Sequence, residues 1–174
     1  CWRVTRIESR RLLPDGSEPT NGMDGSDDAK LWLPGHALNC YEGDAALRAW
    51  LLTPGLLTQR IREAAGADYR MALVTARDDG AAGHVREIEM RCGDTVWMFA
   101  RTAVPRATLE AHPWLATLGT TTLGEAMQAH GSRVTRSDFD YAKLYDDVPV
   151  VRRALERAGL ANQPLWVRRS EFTV

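Results

Sequence analysis

The stretch HVREIEMRCGDTVWMFARTAVP, residues 84–105, decides the fold. Two runs of strand-forming residues flank Gly93 and Asp94, a turn signal, so the stretch reads as a β-hairpin. Side chains alternate along a strand, which puts Arg86, Ile88, Met90 and Cys92 on one face. On the return strand Thr95, Trp97, Phe99 and Arg101 share a face. An even-length turn centred on Gly93-Asp94 then pairs Met90 with Trp97, Ile88 with Phe99, and Arg86 with Arg101. Two arginines oppose each other at the end of an apolar face.

A guanidinium among Ile88, Met90 and Cys92 keeps its charge, and leaving it unpaired in a dry site is costly. It can snorkel at the sheet edge, pair with a buried carboxylate, or await an anionic ligand. The facing Arg101 favours the third reading. Like charges directly opposite are unfavourable, and a carboxylate between them turns that penalty into charge-assisted hydrogen bonds. A single bulge in either strand would break the pairing.

Working outward, GDAALRAWLLTPGLLTQRIREAAG (43–66) carries helical signals. Asp44 caps a short helix that buries Leu47, Trp50 and Leu51. Thr53-Pro54 restarts a second helix as N-cap and first-turn proline, and Gly66 ends it. DYRMALVTAR (68–77) reads as a strand. After Pro105 come short helical pieces, then a strand RVTRSDFDYAKLY, a short amphipathic helix DVPVVRRALERAG, and a last strand PLWVRRSEFTV. The order predicts an α+β domain on an antiparallel sheet. Residues 14–28 are rich in Gly, Ser, Asp, Asn and Pro, so residues 1–30 are expected to form a flexible segment and 31–174 a single domain.

The second chemical feature is TTLGEAM (121–127). Thr122 and Glu125 fit the capping box, placing a helix start there. Leu123 and Gly124 then supply backbone N–H groups without intrahelical acceptors, a ready anion site, and Gly124 lets a ligand approach closely. An ordinary solvated cap is the alternative.

Composition excludes several classes. A formal net charge of −1 on 174 residues gives no field that attracts nucleic acid. No apolar run approaches the roughly eighteen residues of a membrane span. Cys1, Cys40 and Cys92 are odd in number and lack metal spacing, which points to a reducing, cytoplasmic setting. His36, His84, His112 and His130 show no metal spacing either. Phosphate-loop, dinucleotide and nucleophile-elbow motifs are lacking. The helix VVRRALER reads as solvated with a basic stripe.

Four segments occur in a telling order: WLLTPGLLTQRI, VREIEMRCGDTVWMFARTAVP, LATLGTTTLGEAM and LWVRRSEF. Together they resemble the chorismate pyruvate-lyases, from about Trp50 to the end of the chain. The resemblance implies an antiparallel sheet whose helices and flap segments enclose a buried ligand pocket. It also implies a cofactor-free, metal-free cytoplasmic monomer, with chorismate as substrate and 4-hydroxybenzoate and pyruvate as products, serving the ubiquinone ring. Neither nucleic acid nor membrane is an expected partner. By the resemblance Arg86 clamps the ring carboxylate, the backbone N–H of Leu123 bonds the same group, and Leu57 contacts the ligand from a flap. Arg101 matches an arginine of the family motif and joins the substrate-binding set through the hairpin register.

Three departures bear on this expectation. The family carries a ligand-contacting glutamate on a strand after W-x-R-R-S, whereas this sequence ends at Val174; Glu171 belongs to the preceding strand. The loop before Arg86 is short for a flap, and an insertion spans 144–163. Either a C-terminal hairpin belongs to a longer chain, or the domain binds a small anion such as 4-hydroxybenzoate without turnover, as a sensing domain of the same fold would.

Overall fold

The computed structural model of the protein describes residues 4–7, 32–38, 44–80, 83–129 and 135–173, with backbone alone for 4–7. Nine strands are described: β1 (Val4–Ile7), β2 (Leu33–Pro34), β3 (Tyr69–Asp78), β4 (His84–Cys92), β5 (Thr95–Val104), β6 (Thr135–Arg136), β7 (Asp140–Leu144), β8 (Leu165–Arg169) and β9 (Phe172–Thr173). The α-helices are α1 (Gly35–Leu38), α2 (Ala45–Leu51), α3 (Leu57–Ala65), α4 (Arg106–Ala111), α5 (Leu123–Ala129) and α6 (Pro149–Ala158). Seven strands form one sheet in the order β2-β7-β8-β1-β5-β4-β3, and β6 pairs with β9 apart from it. The α+β class is as expected. Every pairing is antiparallel except those of β1, which runs parallel to both β5 and β8.

Residues 4–7 fill the slot between β5 and β8. Val4, Thr5 and Ile7 are good strand formers in a short run that composition over a longer window hides. Residues 14–28, Cys1, Cys40 and His130 lie outside the described residues.

The hairpin forms, but with a bulge. Cys92 pairs with Thr95 and Arg91 with Val96, after which Met90 pairs with Met98, leaving Trp97 as the extra residue. Everything beyond Trp97 shifts by one residue, and with period 2 a shift of one exchanges the faces. Arg86 therefore lies opposite Thr102, and Arg101 lies opposite Glu87. The expected Arg86–Arg101 pairing is absent; the two arginines belong to opposite faces. The bulge has a packing reason. Trp97 meets Trp50 of α2 edge-on at 6.5 Å between ring centroids, and the guanidinium of Arg60 covers Trp50 at 4.2 Å.

The sheet separates two apolar layers. On one face Ile88, Met90, Met98, Ala100, Tyr141 and Trp166 pack with Leu38, Leu51, Leu57 and Ile61 from α1–α3. A neighbouring cluster joins Val104 to Leu115 and Leu118 of the α4–α5 connection and to Leu123, Ala126 and Met127 of α5. On the other face Phe99, Ala142, Leu144, Leu165 and Val167 meet Val150, Val151, Ala154 and Leu155 of α6. The 144–163 insertion thus supplies the helix that covers the back of the sheet.

The basic stripe of α6 is not merely solvated. Glu87 and Glu89, both almost fully buried, point from β4 toward this helix. Arg153 Nη2 lies 2.7 Å from Glu87 Oε2, an ion pair without hydrogen-bond alignment, and Arg101 Nη1 lies 4.0 Å from Oε1. Arg157 grips Glu89 with Nε at 2.9 Å and Nη2 at 3.0 Å, joined by Arg91 at 3.0 Å. Hydrogen bonding to Glu89 raises the pKa of Arg157 further. These pairs neutralise two carboxylates that an apolar interface could not otherwise hold.

Two helix boundaries follow the sequence and one does not. Asp44 Oδ1 accepts from Ala46 N at 2.8 Å and Leu47 N at 3.1 Å, capping α2 as expected. Gly66 ends α3. Thr53, expected to begin α3, instead closes α2: its hydroxyl donates to Trp50 O at 2.8 Å and Ala49 O at 3.2 Å. Helix α3 begins three residues after Pro54, at Leu57.

Candidate active site

Arg86 sits on the helix-covered face with Ile88 and Met90 and is 3% exposed. Its fork closes on the connection before α5. Nε donates to Gly119 O at 2.9 Å, and Nη2 donates to Gly119 O and Thr121 O at 2.7 Å each. Gly119 takes φ +51°, a backbone conformation that costs a side chain, and its carbonyl receives two of these bonds. Among the described residues no carboxylate pairs with this guanidinium. Burial pushes its pKa down. The guanidinium is thus buried rather than snorkelling and is held by carbonyl dipoles, with no carboxylate partner among the described residues.

The same bonds fix the start of α5. Thr122 and Glu125 form the expected capping box, with Thr122 N donating to Glu125 Oε2 at 3.1 Å and Glu125 N donating to Thr122 Oγ1 at 3.2 Å. The Thr122 hydroxyl adds a bond to Oε2 at 2.7 Å. Glu125 Oε1 accepts from Arg62 of α3 at 2.9 Å, so the cap also ties α5 to α3. Partial burial works to raise the Glu125 pKa, but the bonds from Thr122 and Arg62 outweigh it and the net shift is downward. Leu123 and Gly124 follow as first-turn residues whose N–H groups lack intrahelical acceptors. Arg86 and Leu123 are thus brought together through Gly119 and Thr121.

Other expected site residues sort differently. Leu57 begins α3 and is 3% exposed among Leu51, Ile61 and Met90, a wall of the apolar layer on Arg86's face. Gly124 admits a neighbour, but that neighbour is protein: a Cβ there would overlap Cδ2 of Leu56. Arg101, on the far face with Glu87, is separated from this site by the sheet.

Sequence reading missed Arg168. It lies on β8, 1% exposed, in register with Tyr141. The period of two that placed Arg86 places Trp166 and Arg168 on this same face, so the signal was present inside LWVRR. His84 also shares the face, two residues before Arg86, with a buried Nε2 that has no hydrogen-bond partner among the described residues. Among the described residues no three His, Cys, Asp or Glu side chains group to hold a metal ion, and no helix is long and apolar enough to cross a membrane.

A sequence profile described as chorismate lyase matches residues 28–174. The chain belongs to the chorismate lyase family. Relatives of this family member include probable chorismate pyruvate-lyases from three bacteria. That of Thiobacillus denitrificans is 34% identical over 158 residues, covering 81% of this chain and 80% of the relative. That of Pseudomonas aeruginosa (strain PAO1) is 31% identical, covering 82% and 83%. That of Coxiella burnetii is 28% identical over 157 residues, covering 82% and 83%. No solved structure matches this lyase-family chain.

Proposed function

We propose that this protein converts chorismate to 4-hydroxybenzoate and pyruvate, a step toward the ubiquinone ring, as a cytoplasmic monomer without cofactor. The observation that carries the reading is Arg86: a buried cation without a carboxylate partner, anchored to the connection that starts α5. In this reading its remaining N–H groups and the backbone N–H of Leu123 receive the ring carboxylate, while Leu57 forms part of the apolar wall.

The reaction suits such equipment. The bond between the ring carbon and the enolpyruvyl oxygen breaks, and its electron pair leaves with the oxygen. The neighbouring hydroxyl-bearing ring carbon loses its proton, the ring becomes aromatic, and the enolate of pyruvate takes up a proton. Atoms balance without an external oxidant. Aromatisation drives the step, so the protein's task is to hold the ring in a reactive conformer away from water and to stabilise shifting charge.

The test is an assay of the purified protein with chorismate, following 4-hydroxybenzoate and pyruvate together. Equal amounts of both products from the wild type, and none from Arg86→Ala, is the expected result. A protein that binds 4-hydroxybenzoate but forms neither product would make this a small-anion binding domain instead. Failure of both binding and turnover would sink the reading altogether.

A further inference from the structure

A second buried arginine remains unused by that reading. Arg168 is 1% exposed, its Nε is buried without a hydrogen-bond partner among the described residues, and its Nη1 donates to Leu51 O at 3.2 Å. Its guanidinium stacks on Phe139 at 4.3 Å, and Arg136 lies on the same ring at 4.4 Å. The groups facing it are therefore a carbonyl, an aromatic ring, a second cation and Tyr141, whose phenol burial keeps protonated. The nearby Asp138 is exposed, and no carboxylate among the described residues pairs with Arg168.

The sheet register sets its relation to Arg86. Arg168, Arg6, Ala100 and Ile88 form one row across β8, β1, β5 and β4, and Arg86 lies two residues further along β4. Three strand spacings and two residue rises put the two Cα atoms about 16 Å apart on one face. Their anchors keep them separate, since Arg86 is tied to the α5 end and Arg168 to the C-terminus of α2. Two such cations suit one ligand with an anionic group at each end better than two grips on a single carboxylate.

We propose that Arg168 is the second anion-binding residue of this site, receiving the carboxylate of the enolpyruvyl group while Arg86 receives that of the ring. This rests on the lyase reading and extends it to the part of the substrate that leaves. Burial depresses the pKa of Arg168 to about 10, which still leaves it charged at neutral pH and short of partners. Chorismate carries both carboxylates and 4-hydroxybenzoate only the first, so Arg168 separates substrate from product where Arg86 does not.

The experiment compares wild type with Arg168→Met and Arg168→Lys. Chorismate affinity is read as KM, or as Kd by calorimetry if the protein binds without turnover; 4-hydroxybenzoate affinity is read as Kd, and folding by thermal melting. Arg168→Met should weaken chorismate by roughly 10- to 100-fold and change 4-hydroxybenzoate by less than about threefold. Arg168→Lys should fall between, and it carries the same comparison if the Met variant does not fold. Equal changes for both ligands, or none for either, would overturn the proposal and leave Arg168 a packing residue. A wild type that neither binds nor converts chorismate would instead overturn the lyase reading and this proposal together.

Discussion

Replacing Arg86 with Ala is expected to separate ligand binding from folding in a measurable way. The substitution removes three bonds of 2.7–2.9 Å and strands the carbonyls of Gly119 and Thr121. Stranded buried acceptors cost about 1–3 kcal/mol each, but losing a buried charge without a counter-ion returns part of that. A net loss of about 1–3 kcal/mol lowers the melting temperature by roughly 2–12 °C at this chain length. Binding should suffer more. Removing the buried partner of a carboxylate costs about 2–5 kcal/mol, a loss of roughly 30- to 5,000-fold in the affinity for 4-hydroxybenzoate. Arg86→Lys should be intermediate, because a point charge cannot serve the carbonyls and the ligand together. Calorimetric titration with 4-hydroxybenzoate, beside a melt of each variant, reads both quantities. If Arg86→Ala binds within about threefold of a wild type that itself binds, the carboxylate role assigned here is wrong.

Further expectations follow from the same contacts. Thr122→Ala should cost about 1 kcal/mol through loss of the cap, read as a shift in urea midpoint with an unchanged slope. Because the folded Glu125 pKa is depressed, its contribution is present above the ordinary carboxylate range and lost as pH falls through the folded value. Glu125→Gln should therefore flatten the acid side of the stability profile; a profile as steep as wild type there would assign that slope to other carboxylates. Among the described residues Arg153→Ala leaves Glu87, which is 0% exposed, with only Arg101 at 4.0 Å, and should destabilise by about 1–3 kcal/mol in denaturant melts. Gly124→Ala should change 4-hydroxybenzoate affinity by less than about threefold, because the space beside it holds Leu56 rather than ligand.

The parts of this fold that were legible in the sequence are those governed by local chemistry. Asp44 and the Thr122–Glu125 pair announced helix starts because capping needs specific oxygens at fixed spacing. Gly93-Asp94 announced its turn for a similar reason. What failed depended on distant partners. Trp97 bulges because Trp50 is on the helix above it, and nothing within 84–105 encodes that neighbour. The glutamates of REIEM alternate with Arg86, Ile88 and Met90 on the other face of the strand, and their burial is intelligible only with Arg153 and Arg157 lying over them. Arg86 stands out in the sequence as a cation on an apolar strand face, and its burial does not depend on a pairing with Arg101. Arg168 satisfied the same alternation test in a strand read only for its motif.

The bulge at Trp97 has a consequence for how such a chain tolerates change. Between Arg86 and Arg101 it is the number of residues, as much as their identity, that assigns each arginine to its side of the sheet. Deleting Trp97 itself would regularise the ladder and leave Met90 opposite Met98 and each arginine on its present side, whereas a one-residue insertion or deletion just beyond Met98, with the bulge kept, would turn the outer part of β5 over. Substitutions along the strand are local events, whereas such a change in its length is a global one. The hairpin is thus constrained in length before it is constrained in composition, a requirement that scoring position by position does not register.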